Sequence, residues 1–144
     1  MRKIIILILL LLPSVTLASD EISLFSGSGE AVAYIALNEE LTIYIWSGKP
    51  VAYLSEDDAG GYHVYGFNGK HLGWLISNVL RDHKGDAACA TKEAMKLTKF
   101  EAFKAFKQFK PFKAFKEFAP YRPNLSNNFG QIPCKFLLAS GSAG

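Results

Sequence analysis

A short phrase built on glycine occurs four times and constrains the fold more than any other feature of the chain. Runs rich in apolar, β-branched and aromatic residues follow Gly29, Gly48, Gly69 and Gly85. Self-similarity of this kind indicates one supersecondary unit used several times, each copy unable to bury its apolar face alone. Turn residues between β-branched and aromatic runs are typical of hairpins. The sequence therefore predicts an all-β domain of four hairpins, over residues 22–36, 41–54, 62–75 and 78–91.

The turns of these hairpins are predicted from the residue before each glycine. Ser47-Gly48, Asn68-Gly69 and Lys84-Gly85 stand between the paired runs, and Asn-Gly favours a two-residue type I′ turn with positive φ at both residues. The first copy has Gly27 and Gly29, so its turn is expected to be two residues longer. A two-residue loop pairs Thr42 with Tyr53 and Tyr44 with Val51. Strict alternation then places His63 and His71 on opposite faces of the third hairpin.

Two positions after each glycine repeat in character. The fourth residue is always small: Ala33, Ala52, Gly73 and Cys89. The fifth is aromatic in three copies, Tyr34, Tyr53 and Trp74. Small residues at one recurring site predict four hairpins packed closely around a common axis, with the aromatic side chains between neighbouring copies, since a lone hairpin is barely stable. An eight-stranded meander or partly open barrel is the alternative.

Two segments of this repeat carry a family resemblance. Residues 45–54, IWSGKPVAYL, and residues 65–75, YGFNGKHLGWL, followed by Arg81-Asp82-His83-Lys84-Gly85, resemble the 4-fold beta flower domain family. The resemblance covers about residues 22–91. It implies four hairpins in a pseudo-fourfold array, and it implies no particular activity.

The amino terminus is typical of a secretory signal peptide. Arg2 and Lys3 precede an apolar run from Ile4 to Leu12, and Thr16-Leu17-Ala18 ends in small residues suited to cleavage. Nine apolar residues are too few to span a bilayer, which takes about 20. We therefore expect residues 1–18 to be a signal peptide and the mature chain to be exported, periplasmic or secreted. Retention of the segment as an anchor is the alternative.

The mature chain divides sharply by charge. Residues 19–91, the predicted β domain, hold ten acidic and four basic residues, a net charge of −6. Residues 92–144 hold three acidic and ten basic residues, a net charge of +7. Such halves can attract each other, a second copy or an outside anionic surface. The two cysteines, Cys89 and Cys134, can close a disulfide in an exported protein, whereas Cys89 alone would be a small buried residue.

Residues 92–123 form a basic tail in which an aromatic residue returns at every third position from Phe100 to Tyr121. A three-residue stripe slips around an α-helix but stays in line on a polyproline II strand. Composition nevertheless favours helix, and Pro111 interrupts it. The tail is thus expected to form helices near 91–110 and 112–119 or to be disordered. Residues 124–144, which include the glycosylation acceptor Asn124-Leu125-Ser126, are expected to be loose.

Alternating lysine and phenylalanine suggest what the tail contacts. Lysine attracts an anionic membrane or envelope polymer and phenylalanine inserts into apolar material. Nucleic acid is less expected because the protein is exported, and a simple spacer is the alternative. The residues expected to contact the surface are Phe103, Lys104, Phe106, Lys107, Phe109, Lys110, Phe112, Lys113, Phe115 and Lys116.

The sequence contains no motif for a specific reaction. His63, His71 and His83 lack a metal-ligand spacing, Asp82-His83-Lys84-Gly85-Asp86 has Lys84 where a calcium loop needs oxygen, and no serine stands in a nucleophile elbow. No cofactor or metal is expected. A ligand groove on the β domain would use the aromatic residues Trp46, Tyr53, Phe67 and Trp74.

These observations predict an exported, non-enzymatic binding or structural module, with a β platform and a basic amphipathic tail that contacts an anionic surface. One alternative is self-assembly, with the basic tail of one copy on the acidic front of another. A hydrolase of unknown substrate, using His63, His71 or Asp82, is the less favoured alternative.

Overall fold

Each glycine repeat forms one antiparallel β-hairpin. The computed structural model describes residues 20–144, so the predicted signal peptide, residues 1–18, and its alternative as an anchor lie outside the described residues. The strands are β1 (Glu21–Phe25), β2 (Ala31–Ala36), β3 (Thr42–Ile45), β4 (Pro50–Glu56), β5 (Tyr62–Gly66), β6 (His71–Ile76), β7 (Val79–Arg81) and β8 (Ala87–Ala90).

The four hairpins close into one barrel. Every strand pairs with its neighbours in sequence, and β1 meets β8 through Phe25 and Ala90. The predicted all-β class and the four hairpins are confirmed. The strands follow the order of a meander, because β2 pairs with β3, β4 with β5 and β6 with β7 as regularly as within each hairpin. The barrel is closed, so the alternative of a partly open barrel is wrong.

All four hairpin turns are built alike, which corrects two expectations. In the second hairpin the amide of Gly48 donates to the carbonyl of Ile45, and the amide of Ile45 donates to the carbonyl of Lys49. Only the glycine has positive φ, so the loop has three residues, a type I turn followed by a left-handed glycine, and is not type I′. The first hairpin has the same bonds around Gly29, so the longer first turn predicted from sequence is wrong.

A β-bulge follows every turn and changes which residues share a face. Ile43 pairs with Ala52 and Tyr44 with Pro50, so Val51 is the extra residue. Val32, Leu72 and Ala88 are extra at the matching sites of the other hairpins. Thr42 pairs with Tyr53 as predicted, but the pairing of Tyr44 with Val51 is wrong, because a bulge reverses the alternation beyond it.

The barrel interior is aliphatic, and its outer face is aromatic. The predicted small residues Ala33, Ala52 and Cys89 are fully buried in the main core, together with the bulge residues Val51, Leu72 and Ala88. Aromatic side chains of adjacent hairpins pack on each other outside the core, as in the stacked pair of Tyr34 and Tyr44, whose ring centroids are 5.5 Å apart. The expected packing of aromatic residues between neighbouring hairpins is therefore present.

The carboxyl-terminal segment is part of this core. Helix α1 (Cys134–Ala139) buries Leu137 and Leu138 against the barrel at the end that carries the four hairpin turns. Cys134 forms a disulfide with Cys89, and the amide of Asn68 donates to the carbonyl of Gly141. The expectation of a loose segment over residues 124–144 is wrong, since apolar burial and these bonds fix its second half.

The basic tail is not helical. Over residues 91–126, all of which the structure describes, no helix forms, so the helices expected near 91–110 and 112–119 are absent. Between Lys99 and Ser126, backbone amides of the tail bond to the hairpin turns instead of to carbonyls of their own turn. No helix within residues 20–144 has the length and hydropathy that crossing a membrane requires.

Candidate functional site

The tail forms a belt that passes over the four hairpin turns in order. We call residues 99–126 the belt. The amides of Lys99, Gln108, Glu117 and Ser126 donate to the carbonyls of Gly29, Gly48, Gly69 and Gly85 at 2.9, 2.9, 2.9 and 3.0 Å. The donors are nine residues apart, which is three triplets for each hairpin. The sequence repeat of the belt is therefore matched to the pseudo-fourfold repeat of the barrel.

A second set of contacts fixes the same register. The amide of Ala105 donates to the carbonyl of Trp46, and the amide of Ala114, nine residues later, donates to that of Phe67. A Cβ atom at Gly48 or Gly69 would collide with the carbonyl oxygen of Phe106 or Phe115, again nine residues apart. The glycines of the repeat thus serve both the left-handed turn and the close approach of the belt.

The aromatic side chains of the belt point away from the barrel. Each is at least 97% exposed, although the backbone that carries them is hydrogen bonded to the barrel. Monomeric proteins rarely expose contiguous apolar patches of more than a few hundred Å², and larger ones mark interaction surfaces. We call these side chains the aromatic face: Phe100, Phe103, Phe106, Phe109, Phe112, Phe115, Phe118 and Tyr121.

The lysines of the belt point toward the barrel. Lys104 Nζ lies 2.5 Å from Glu21 Oε1 and 4.7 Å from the centroid of the Tyr34 ring, and Lys107 Nζ lies 2.5 Å from Glu21 Oε2. Burial would raise the pKa of Glu21, but the hydrogen bonds and charges of the two lysines outweigh burial and lower it. Burial, with the Glu21 charge, raises the pKa of Tyr34 to about 12. This tyrosine hydroxyl therefore stays protonated at physiological pH.

The inward contacts recur along the belt at nine-residue spacing. Lys113 Nζ lies 4.4 Å above the Tyr53 ring and 3.4 Å from Glu40 Oε2. Nine residues later, Arg122 bonds to Asp57 Oδ2 at 2.7 Å. Three residues before Lys113, Lys110 pairs with Glu39 at 3.2 Å. The acidic front and basic rear of the sequence thus pair within one chain.

Three of the four aromatic residues predicted to line a ligand groove contact the belt: Trp46, Tyr53 and Phe67. Phe67 and Trp74 are buried, as is Tyr53, and Trp46 is half-buried with its Nε1 donating to the carbonyl of Ala102 at 3.1 Å. Lys104 Nζ lies 5.2 Å from the centroid of the Trp46 ring. The surface around Trp46 and Tyr53 is therefore already occupied by cations of the belt.

Three histidines that the sequence separates form one hydrogen-bonded chain. His63 Nδ1 lies 3.0 Å from His71 Nε2, and His71 Nδ1 lies 2.9 Å from His83 Nε2. His63 Nε2 lies 3.3 Å from Asp57 Oδ2. The predicted placement of His63 and His71 on opposite faces is wrong, because the bulge at Leu72 turns His71 outward.

The middle histidine is held neutral. Burial, with the neighbouring His83 and His63, lowers the pKa of His71 to about 4. Its amide donates to Glu117 Oε1 at 2.7 Å, so the histidine chain also contacts the belt. Asp82 is not part of the histidine chain. It is buried, and its Oδ1 accepts hydrogen bonds from the amides of Lys84 and Asp86 within the fourth turn. Within residues 20–144 no group of three or more His, Cys, Asp and Glu side chains is arranged to hold a metal.

Comparison with known proteins decides the family. The model of a family described as 4-fold beta flower protein matches residues 22–138. The chain belongs to this family. The match includes the belt and α1 of this beta flower as well as its hairpins. No functionally curated protein and no solved structure matches the chain.

The sequence identified the residues of the beta flower's belt but not the direction in which their side chains point. If the segment is an extended polyproline II strand, the three-residue period places phenylalanine and lysine on separate sides. The opposite net charges of the two halves were the signal that the lysine side faces the barrel. Nothing in the sequence indicated the histidine chain, since it depends on a bulge.

Proposed function

We propose that the protein is an exported, non-enzymatic binding module that presents the aromatic face of its belt to the interfacial region of a lipid membrane. One observation carries the proposal: eight aromatic side chains stand wholly exposed on a backbone that is hydrogen bonded to a rigid barrel. Export rests on the predicted signal peptide and is supported by the disulfide of Cys89 and Cys134, a bond typical of oxidising compartments.

The energetic argument starts from the exposed rings. Moving one large apolar side chain out of water stabilises by about 1.5–3 kcal/mol. Insertion of three neighbouring phenylalanines would thus contribute roughly 4–9 kcal/mol before the cost of association. Because the belt backbone is already ordered, little conformational entropy remains to be lost on docking.

The direction of the lysines changes the kind of surface that the protein favours. Lys104, Lys107 and Lys113 are engaged with carboxylates and tyrosine rings of the barrel. Attraction to anionic lipids is therefore weaker than the sequence suggests, and it comes from the exposed turn lysines Lys49, Lys70 and Lys84. Apolar insertion should therefore dominate, and salt should weaken binding only slightly.

Vesicle co-sedimentation of the exported protein tests this proposal. We expect binding to phosphatidylcholine vesicles, with a modest gain when phosphatidylglycerol is added. The variant in which Phe103, Phe106 and Phe109 are replaced by serine should lose at least about tenfold in affinity, given the energies above. Phe136→Ser is the matched control, because Phe136 is 72% exposed but lies on α1.

Absence of vesicle binding, or an equal loss in the Phe136→Ser control, would contradict the proposal. Self-assembly through charge is the weaker alternative, since the acidic and basic halves already pair within the chain. Self-assembly through the aromatic face would instead appear as a mass that rises with protein concentration and falls back in the triple serine variant.

A further inference from the structure

The two ends of the barrel differ in what covers the core, and the difference points to a ligand site in addition to the belt. At the turn end α1 covers the interior. At the opposite end the strands are joined by the connections 37–41, 57–61 and 77–78, and within residues 20–144 no helix covers the core there. A cavity of about 250 Å³ opens at this end. The mouth of a β-barrel is a usual place for a small-molecule site.

The cavity wall is aliphatic. The wall is continuous with the barrel core, because Ile35 and Leu54 belong to the core and also line the cavity. Polar groups stand only near the rim, at Tyr62, Ser77 and Asn78. The aliphatic side chains of the wall are Ile22, Ile35, Leu37, Leu41, Leu54 and Leu75.

Three residues at the mouth, the uncovered end of the barrel, have backbone conformations that are unfavourable in free energy for residues other than glycine. Leu41, Ser77 and Asn78 all line the cavity with positive φ, of 57°, 52° and 67°. A left-handed leucine crowds its own Cβ against the backbone, and such residues cluster at ligand clamps and functional sites. Leu37 and Ile22 remain 42% and 38% exposed beside it. The mouth is thus an apolar opening whose shape is fixed.

The volume of the cavity and the charges around it indicate which ligand it would bind. A dry apolar cavity of about 150 Å³ already takes benzene, so this one has room for a larger hydrocarbon group. The three connections carry four carboxylates, Glu39, Glu40, Asp57 and Asp58, and no basic residue. Lys110, Lys113 and Arg122 pair with Glu39, Glu40 and Asp57. Among the residues that the structure describes, no basic residue lines the cavity, so an anionic head group would lose its hydration there without gaining an ion pair.

We propose that the open end of the barrel binds the aliphatic chain of an amphiphile with an uncharged head group, with the chain among Ile35, Leu54 and Leu75. No residue of the belt, all of which the structure describes, lines this cavity. The side chains of Lys110, Lys113 and Arg122 reach the connections at the mouth, but the belt backbone is bonded to the turns at the other end and the aromatic face points to solvent. Ligand binding in the cavity can therefore be tested separately from membrane docking by the aromatic face.

Methyl NMR of the exported protein, titrated with 1-decanol below its solubility limit, tests the proposal. We expect saturable shifts of the Leu37, Leu54 and Leu75 methyl signals, and affinity at least tenfold weaker for decanoate. Leu37→Glu should weaken decanol binding at least tenfold, and Ile22→Glu repeats the test at a second exposed position. The belt variant Phe106→Ser should bind decanol as the parent does.

Three outcomes of this experiment would overturn the proposal: shifts confined to the methyl signals of the belt residues Ala102, Ala105 and Ala114, decanol binding unchanged in both glutamate variants, or equal affinity for decanoate. Shifts of the same methyl signals with protein concentration alone would also overturn it, because they would show that a second copy fills the mouth.

Discussion

The amide of Gln108 donates a hydrogen bond of 2.9 Å to the carbonyl of Gly48. The same contact is made by residues 99, 117 and 126 at the other three glycines, so the belt and the barrel share one period. In the triplets that end at Ala105, Gln108, Ala114 and Glu117, the amide of the third residue bonds to a turn. The lysine before it faces the barrel, and the phenylalanine faces solvent. The repeat of the belt is therefore explained by what it binds on its own barrel.

Replacing a turn glycine under the belt should cost more than replacing one elsewhere. Gly48→Ala combines a left-handed alanine with a collision against the Phe106 carbonyl. Gly60 has φ of 99° but open space where its Cβ would be, so Gly60→Ala isolates the backbone cost of about 1–2 kcal/mol. We expect Gly48→Ala to lose roughly a further 1–3 kcal/mol of unfolding free energy in urea denaturation, as belt bonds break. Equal losses in the two variants would mean that the belt does not lie on the turn.

Removing an inward lysine should destabilise the fold, although the residue looks like a surface charge in the sequence. Lys104→Gln removes the ion pair with Glu21 and the contact with the Tyr34 ring. We expect a loss of about 1–2 kcal/mol, combining an ion pair with a cation–π contact. Lys49→Gln at an exposed turn position is the control and should change stability by less than about 0.5 kcal/mol. A double-mutant cycle with Glu21→Gln should show coupling; additive losses would refute the contact.

The buried histidine should make the fold sensitive to mild acid. The pKa of His71 is about 4 in the folded state and near 6.5 when unfolded. Between these values the unfolded chain binds a proton that the folded chain does not, so stability is complete above pH 6.5 and falls as pH drops toward 4. The loss reaches at most about 3 kcal/mol.

Urea denaturation between pH 7 and about pH 5.5 measures this effect. Glu21 and Asp57, whose pKa values are lowered in the folded state, contribute a pH dependence only at lower pH, where their unfolded-state carboxyls bind protons. His71→Gln should flatten the dependence in that window. A variant that keeps the full slope would show that the proton binds elsewhere.

The disulfide should contribute strongly, because it ties α1 to the last strand across 45 residues. Loop closure of that length predicts about 4 kcal/mol of stabilisation. We expect dithiothreitol to lower the denaturation midpoint of the parent protein and to leave the Cys89→Ala/Cys134→Ala double variant unchanged. If the reductant has no effect on the parent, the bond is not formed in solution.

The hairpins could be predicted from sequence because their signals are local. Glycine turns and apolar runs gave the four hairpins 22–36, 41–54, 62–75 and 78–91, which contain nearly all of β1–β8. Strict alternation through the turn does not predict the bulges, because each bulge adds one residue to the second strand.

The belt could not be predicted in the same way, because helix propensity is a local quantity and belt formation is not. Alanine, lysine and glutamate favour helix in isolation. The amides of Ala105 and Ala114 find carbonyls on hairpin turns more than 45 residues away in sequence, and this tertiary binding overrides the propensity. The histidine chain escaped prediction for a related reason, since the bulge that turns His71 outward changes the register by one residue.

Amide hydrogen exchange of residues 99–126, measured residue by residue by NMR, tests the account most directly. The belt predicts slow exchange at Lys99, Ala105, Gln108, Ala114, Glu117 and Ser126 and fast exchange at the phenylalanine amides between them. Uniformly fast exchange would mean an unbound tail, and continuous protection through the phenylalanine amides would mean a helix. Either result would contradict a belt that turns its lysines to the barrel and its phenylalanines outward.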